Sequence, residues 1–194
     1  MAVSVSNSKP AAALAFAAAA LAACSTAPIG LSSQFDPPSR ASYASGKPPA
    51  LPAELCRVQI AHFTDMRPDS QTMGAMGVRT VQADTGAWVR SGLESLARDS
   101  RIRFVGTASE ADLSIDVELL KAYVMTITVD KASNVALRIR YSRNGAPQGD
   151  ALYRGTDTDV NWANGDGETQ ETLNRALANL LEDVDRDLMA RCKG

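Results

Sequence analysis

The alternation of apolar and polar residues changes period several times along the chain, and each change predicts an element. Cys56-Arg57-Val58-Gln59-Ile60-Ala61-His62-Phe63 alternates at period two, with Val58, Ile60 and His62 on one face and Ala61 and Phe63 on the other, as in a strand. A polar, glycine-containing loop runs from Asp65 to Gly77, and residues 78–81 predict a short second strand. Asp84 has the chemistry of an N-cap, and Val89, Leu93 and Leu96 then fall at i, i+4 and i+7, which predicts a helix over 85–99. Ile102 to Val105 begins the next strand. Leu113, Ile115, Val117, Leu119, Tyr123, Met125, Ile127 and Val129 share one parity over a stretch too long for an ordinary strand, so a bend or bulge is expected near its middle.

Val135, Leu137, Ile139 and Tyr141 alternate again, with Arg138 and Arg140 facing the other way. Asn144-Gly145 is a hairpin signal, and residues 151–160 complete a meander. Leu173, Leu177, Leu180, Val184 and Leu188 form the stripe of a closing helix from near Asp166 to Arg191. The expected fold is α+β, a two-layer sandwich in which two helices cover one face of a mostly antiparallel, four- to five-stranded sheet.

The first fifty residues follow neither period. Met1 to Lys9 is polar with one positive charge, and the apolar run Ala11 to Ala20 is too short to cross a ~30 Å hydrocarbon core, so residues 1–23 read as a cleaved signal peptide. Leu21-Ala22-Ala23-Cys24 resembles a lipobox. That resemblance implies that the Cys24 thiol is acylated and becomes the first residue of a lipoprotein, held on a membrane by palmitate-like chains without a spanning helix. Ser25, in place of aspartate, implies by the same resemblance a position on the inner leaflet of the outer membrane with the domain in the periplasm. Residues 24–54 hold six of the nine prolines and are expected to form a disordered tether with a reach of ~30 Å. Residues 55–194 then form one folded domain.

Composition narrows the chemistry. With 45% hydrophobic residues, 22% charged residues, a net charge of −2 and dispersed basic positions, the chain is an ordinary globular protein with no nucleic-acid footprint. Three cysteines are an odd count for an exported protein; setting Cys24 aside leaves Cys56 and Cys192 as a candidate disulfide joining the two ends of the domain. His62 is the single histidine, on an apolar strand position that suits a hydrogen-bonded core residue better than a catalytic base. No phosphate loop, nucleophile elbow or metal-ligand spacing occurs, so no catalytic residue, cofactor or metal ion is expected. Asp157 and Asp159, two apart on one strand face, could raise a pKa or hold a cation, but a lone pair of carboxylates is weak evidence and a solvated or structural role accounts for them better. The loop 65–77 is the most unusual segment. Asp65, Met66, Arg67, Met73, Gly74 and Met76 suit an adaptable partner-binding surface, or alternatively a turn tied by Asp65 and Arg67 with the methionines covering the sheet end.

The lipobox, the proline-rich segment, a first strand ending in Asp65-Met66-Arg67-Pro68 and the later Gly74, together with the element order, resemble the YajG-like family of bacterial lipoproteins. A related resemblance is to the auxiliary lipoproteins of ABC-type lipid transport systems. Both imply a membrane-anchored envelope lipoprotein of undefined role rather than an enzyme with known catalytic residues. The tether, the methionine-rich loop and the absent catalytic set point to a module that binds an envelope protein or glycolipid partner as an assembly or transport accessory. A passive structural or stress-related scaffold is the alternative, and a small hydrolase uniting His62 with the last-strand carboxylates is the remote one.

Overall fold

The computed structural model describes residues 27–38, 56–99, 101–162 and 165–193. The leader, Cys24 and the proline-rich residues 39–55 lie outside the described residues. In chain order the elements are β1 (Ile29–Gly30), β2 (Cys56–Asp65), β3 (Gly74–Met76), β4 (Arg79–Gln82), α1 (Thr85–Asp99), β5 (Ile102–Phe104), β6 (Leu113–Ile127), β7 (Asp130–Arg143), β8 (Ala146–Val160) and α2 (Asp166–Lys193).

The fold is α+β, but the sheet is larger than expected and mixed. Antiparallel pairing is confined to β3–β4 and to the meander β6–β7–β8. β2 runs parallel to both β5 and β6, β3 parallel to β6, and β1 parallel to β4. The cause is the connection after β2. The chain leaves through the loop, the β3–β4 hairpin and α1, and re-enters the sheet from the end where β2 began, so β5 and β6 must run with it. β6 is the spine. Its first half pairs with β2, its second half with β3, and its whole length with β7.

Local chemistry explains both helices. The Asp84 carboxylate accepts a hydrogen bond from Ala87 N at 2.9 Å, capping α1, whose Trp88, Val89 and Leu93 are buried. On α2 the whole apolar stripe, Leu173, Leu177, Leu180, Val184 and Leu188, is inaccessible to solvent and packs on the inner face of the meander. Gly155 on β8 permits that approach, because a Cβ there would stand 1.9 Å from the Ala176 carbonyl oxygen on α2. A buried hydrogen bond from Trp88 Nε1 to Asn174 Oδ1, 2.9 Å, fixes α1 against α2.

Three ladder irregularities reset which residues point inward. β6 shifts register between Leu119 and Lys121, where a break was expected, but the shift also reverses parity: Leu113 to Leu119 are buried at odd positions, then Ala122 and Val124 at even ones. Met125, Ile127 and Val129, expected in the core, are therefore exposed. A second shift, between Ile60 and His62 in the β2–β6 pairing, turns His62 outward, contrary to its expected core position. The third lies between Arg140 and Ser142 in β7–β8.

Part of the expected tether also belongs to the domain. Ile29 pairs with Val81 in β1–β4 and is fully buried, and Phe35 packs into the core beside α1. A few isolated apolar residues in a Ser- and Pro-rich stretch sufficed to dock it, because each one reaches a ready-made site on the core.

Candidate functional site

The loop 65–77 is built around Arg67, whose side chain is 4% exposed. Its guanidinium grips Asp65 with both forks, Nη2 to Oδ2 at 2.7 Å and Nε to Oδ1 at 3.0 Å, and donates to the carbonyls of Thr72 at 2.9 Å and Ser70 at 3.1 Å. Burial works against the Asp65 charge, yet the hydrogen bonds from Arg67 prevail and hold its pKa below the usual value. Met73 and Met76 are buried in the core, and Gly74 adopts φ +95° where a Cβ would sit 2.1 Å from the Val124 carbonyl oxygen. Of the residues expected to offer an adaptable surface, only Met66 is freely exposed. Arg67, Met73 and Met76 are thus buried where an adaptable surface was expected, Asp65 and Gly74 are part-exposed, and the loop closes the sheet end.

The candidate acid–base residues are not brought together. His62 is exposed and meets Asp116 through Nδ1 at 2.8 Å on the open face of the sheet. Asp157 and Asp159 face α2, where Arg175 donates to Asp157 at 3.0 Å and to Asp159 at 2.6 Å, with Lys131 Nζ 3.9 Å from Asp159. Two cations on two carboxylates leave little for a third to neutralise, which fits the structural reading of the pair. Among the described residues no group of three or more His, Cys, Asp or Glu side chains has metal-ligand geometry.

Two arrangements escaped the sequence reading. Tyr141 Oη meets Tyr153 Oη at 2.5 Å, Tyr153 donates to Asp187, and Arg191 both bonds Asp187 at 3.1 Å and lies 3.9 Å from the Tyr141 ring centroid. Burial pushes Tyr141 up to about 12 and, with the bond to Asp187, raises Tyr153 further. Both phenols stay neutral and tie α2 to the sheet. On the open face, Glu118 is shared by Arg138, at 3.2 Å, and Arg140, and the two arginines line an open hollow of about 460 Å³ with Tyr141, Pro147, Gly149 and Asp150. Both guanidiniums reach Glu118, and Asp150 also lines the hollow, so the face presents charges of both signs to a polar partner.

The two ends of the sheet differ in chemistry. At one end the β7–β8 turn is Asn144-Gly145, both at positive φ, and Cys56 is joined to Cys192 with Cα atoms 5.7 Å apart. At the other end the two-residue β6–β7 turn is Thr128-Val129, with Thr128 at φ 58°, and Val78, Met125, Ile127, Val129, Val160 and Trp162 are all exposed. Those six are most of the eight large apolar residues exposed among the described residues, so they form a patch rather than a scatter. The ladder pairs Asp130 with Val160, Asn161 N donates to the Val129 carbonyl at 2.8 Å, and Gly77 N donates to Thr126 Oγ1 at 3.2 Å, which draws the three turns together.

Comparison with family models finds no match, and no curated protein matches the chain. Among solved structures the chain is similar to a Xanthomonas campestris protein of the DUF330 family, with a TM-score of 0.55 at 6% identity over 86% of this chain and 98% of that one. Weaker similarities include a putative lipoprotein from Caulobacter crescentus, TM-score 0.40 at 15% identity over 56% and 83% of the two chains. Another is lipoprotein GNA1162 from Neisseria meningitidis, TM-score 0.39 at 11% identity over 72% and 99%. At such identities the likeness is one of fold alone.

Proposed function

We propose that the protein is a lipid-anchored envelope lipoprotein whose domain binds a partner and catalyses no reaction. The observation that carries the reading is Leu21-Ala22-Ala23-Cys24, a small-residue site ending in a thiol at the end of an apolar leader. The separation of His62 from Asp157 and Asp159, and the engagement of both carboxylates by Arg175, support a non-catalytic domain. Ser25 favours the outer membrane, with the domain in the periplasm. The face carrying Arg138 and Arg140, in place of the loop 65–77, is the partner surface, and an envelope protein or glycolipid is the partner.

In cells fed labelled palmitate, Cys24→Ser should lose the label completely, while the parent chain carries it. Label retained by Cys24→Ser overturns the anchor. The partner surface is tested separately. Arg138→Glu with Arg140→Glu should reproduce the envelope permeability defect of a deletion strain while the protein remains labelled, folded and abundant. A double variant that restores the parent permeability overturns the binding reading in favour of a passive scaffold.

A further inference from the structure

The apolar end of the sheet has a neighbour in the sequence that fixes what it faces. β1 runs parallel to β4, away from the Val78 turn, so the chain enters the domain at that turn. Arg79 holds the entry point: its Nε donates to the Ala27 carbonyl at 2.9 Å and its Nη2 pairs with Asp166 at 3.1 Å. Only Ser25 and Thr26 separate Ala27 from Cys24. Three Cα steps span at most about 11 Å whatever their conformation, so the lipid-bearing residue cannot leave the vicinity of this end.

We propose that the exposed tip formed by Val78, Ile127, Val129, Val160 and Trp162 inserts into the interface of the bilayer that receives the Cys24 acyl chains, so that the domain stands on the membrane by its β6–β7 turn. This rests on the lipid-anchor reading above. The chemistry of the tip fits an interface rather than water. Trp162, 81% exposed, has the amphipathic ring that partitions to headgroup level, with branched aliphatic side chains around it. The turn places Thr128 and Val129 where hairpin geometry favours asparagine and glycine, the pair found at the opposite end of the same strand. Of the nearby charges, Arg79 is paired with Asp166, and Lys131 and Arg175 with Asp159, so these approach the interface as ion pairs, while the Asp130 carboxylate next to Val129 stays at headgroup level. A domain on a ~30 Å tether would have no such orientation, and the docking of residues 27–38 removes that freedom.

The chain has two tryptophans, and Trp88 is buried against α2, so a change in emission on contact with lipid reports Trp162. The full chain, purified from membranes, is reconstituted into vesicles of phosphatidylethanolamine and phosphatidylglycerol carrying bromine on their acyl chains, and mass spectrometry establishes whether Cys24 is acylated. With the anchor present, emission from Trp162 should be quenched about twofold relative to unbrominated vesicles, and Ile127→Ser with Val129→Ser should abolish most of that quenching without loss of anchoring or of the Cys56–Cys192 bond. Unquenched, water-like emission from an acylated chain overturns the proposal. If Cys24 proves unacylated the anchor reading fails, and the same chain added to preformed brominated vesicles still decides the tip: quenching supports insertion, its absence refutes it. A concentration-dependent blue shift in detergent, with no quenching in vesicles, assigns the patch to a second copy and also refutes it.

Discussion

Replacing Cys56 and Cys192 together by serine is expected to lower the unfolding free energy by up to about 5 kcal/mol, because the bond closes a loop of 136 residues and so removes most of the chain's long-range freedom in the unfolded state. That figure is the ceiling of a chain-entropy argument; a compact unfolded state reduces it. The folded state itself should change little. Where the disulfide joins β2 to the end of α2, Arg143 Nη2 also donates to the Arg191 carbonyl, and Arg191 Nη1 donates to the Gln148 carbonyl at 2.8 Å. Urea unfolding of the parent with and without a thiol reductant, beside the double variant, reads the effect. A midpoint unmoved by reduction would mean that those hydrogen bonds, not the covalent link, define that end of the domain.

Arg67→Ala should cost about 3 kcal/mol at neutral pH, toward the lower end for breaking a buried ion pair because Asp65 keeps some contact with water. It strands the Thr72 and Ser70 carbonyls as well as the carboxylate. The pH dependence gives the test its sign. In the parent, Asp65 is held below its usual pKa of 3.8, so its contribution is present above that pH and is lost as the pH falls through the lower folded value. Without the Arg67 guanidinium, burial is opposed only by the backbone N–H of residue 67, which still donates to Asp65 Oδ1, so the Asp65 pKa rises relative to the parent. The penalty of Arg67→Ala should therefore shrink as the pH drops below about 4, seen as converging urea midpoints of parent and variant. A penalty constant between pH 7 and pH 3 would place the lost stability in packing around Met73 and Met76 rather than in the ion pair.

What the sequence made legible follows the physics of each segment. Both helices are readable because their stripes, Val89 and Leu93 on α1 and Leu173 to Leu188 on α2, keep one period without interruption. The hairpin at Asn144-Gly145 is readable because the turn itself demands those residues. Facing is less legible where a bulge intervenes. Leu119-Leu120 is the mark of the parity change in β6, two apolar residues in succession where alternation allows one, but Tyr123, Met125 and Ile127 restore the original phase and mask it. His62 reads as an inward-facing residue for the same reason, since nothing in Ile60-Ala61-His62 distinguishes a bulge from a regular strand.

The parallel pairings were hidden for another reason. Whether β6 lies beside β2 depends on the path of the chain between them, which side-chain periodicity does not encode. The docked stretch 27–38 was hidden by composition, since Ile29 and Phe35 are too few to make a pattern. The candidate site shows both faces of this. The D-x-R geometry around Arg67 was visible, but its destination, inside rather than outside, was not. The apolar end was visible only in pieces, because Val78, Val129 and Trp162 lie far apart in the chain and meet through three turns.

The central position of β6 also dictates the order in which the chain can become a protein. β2 has no sheet partner until Ile102 to Phe104 and then Leu113 to Leu119 exist, and the β3–β4 hairpin has nothing to lean on until Val124 and Met125 follow. The β6–β7–β8 meander and the short β3–β4 hairpin pair residues close in sequence, and the meander, being far longer, is the natural nucleus onto whose edge the N-terminal elements condense afterwards. A nascent chain that has emerged as far as residue 110 holds the apolar strands of the first half with no sheet to bury them. Such a chain folds slowly once complete, and is exposed to aggregation and proteolysis in the interval before α2 arrives.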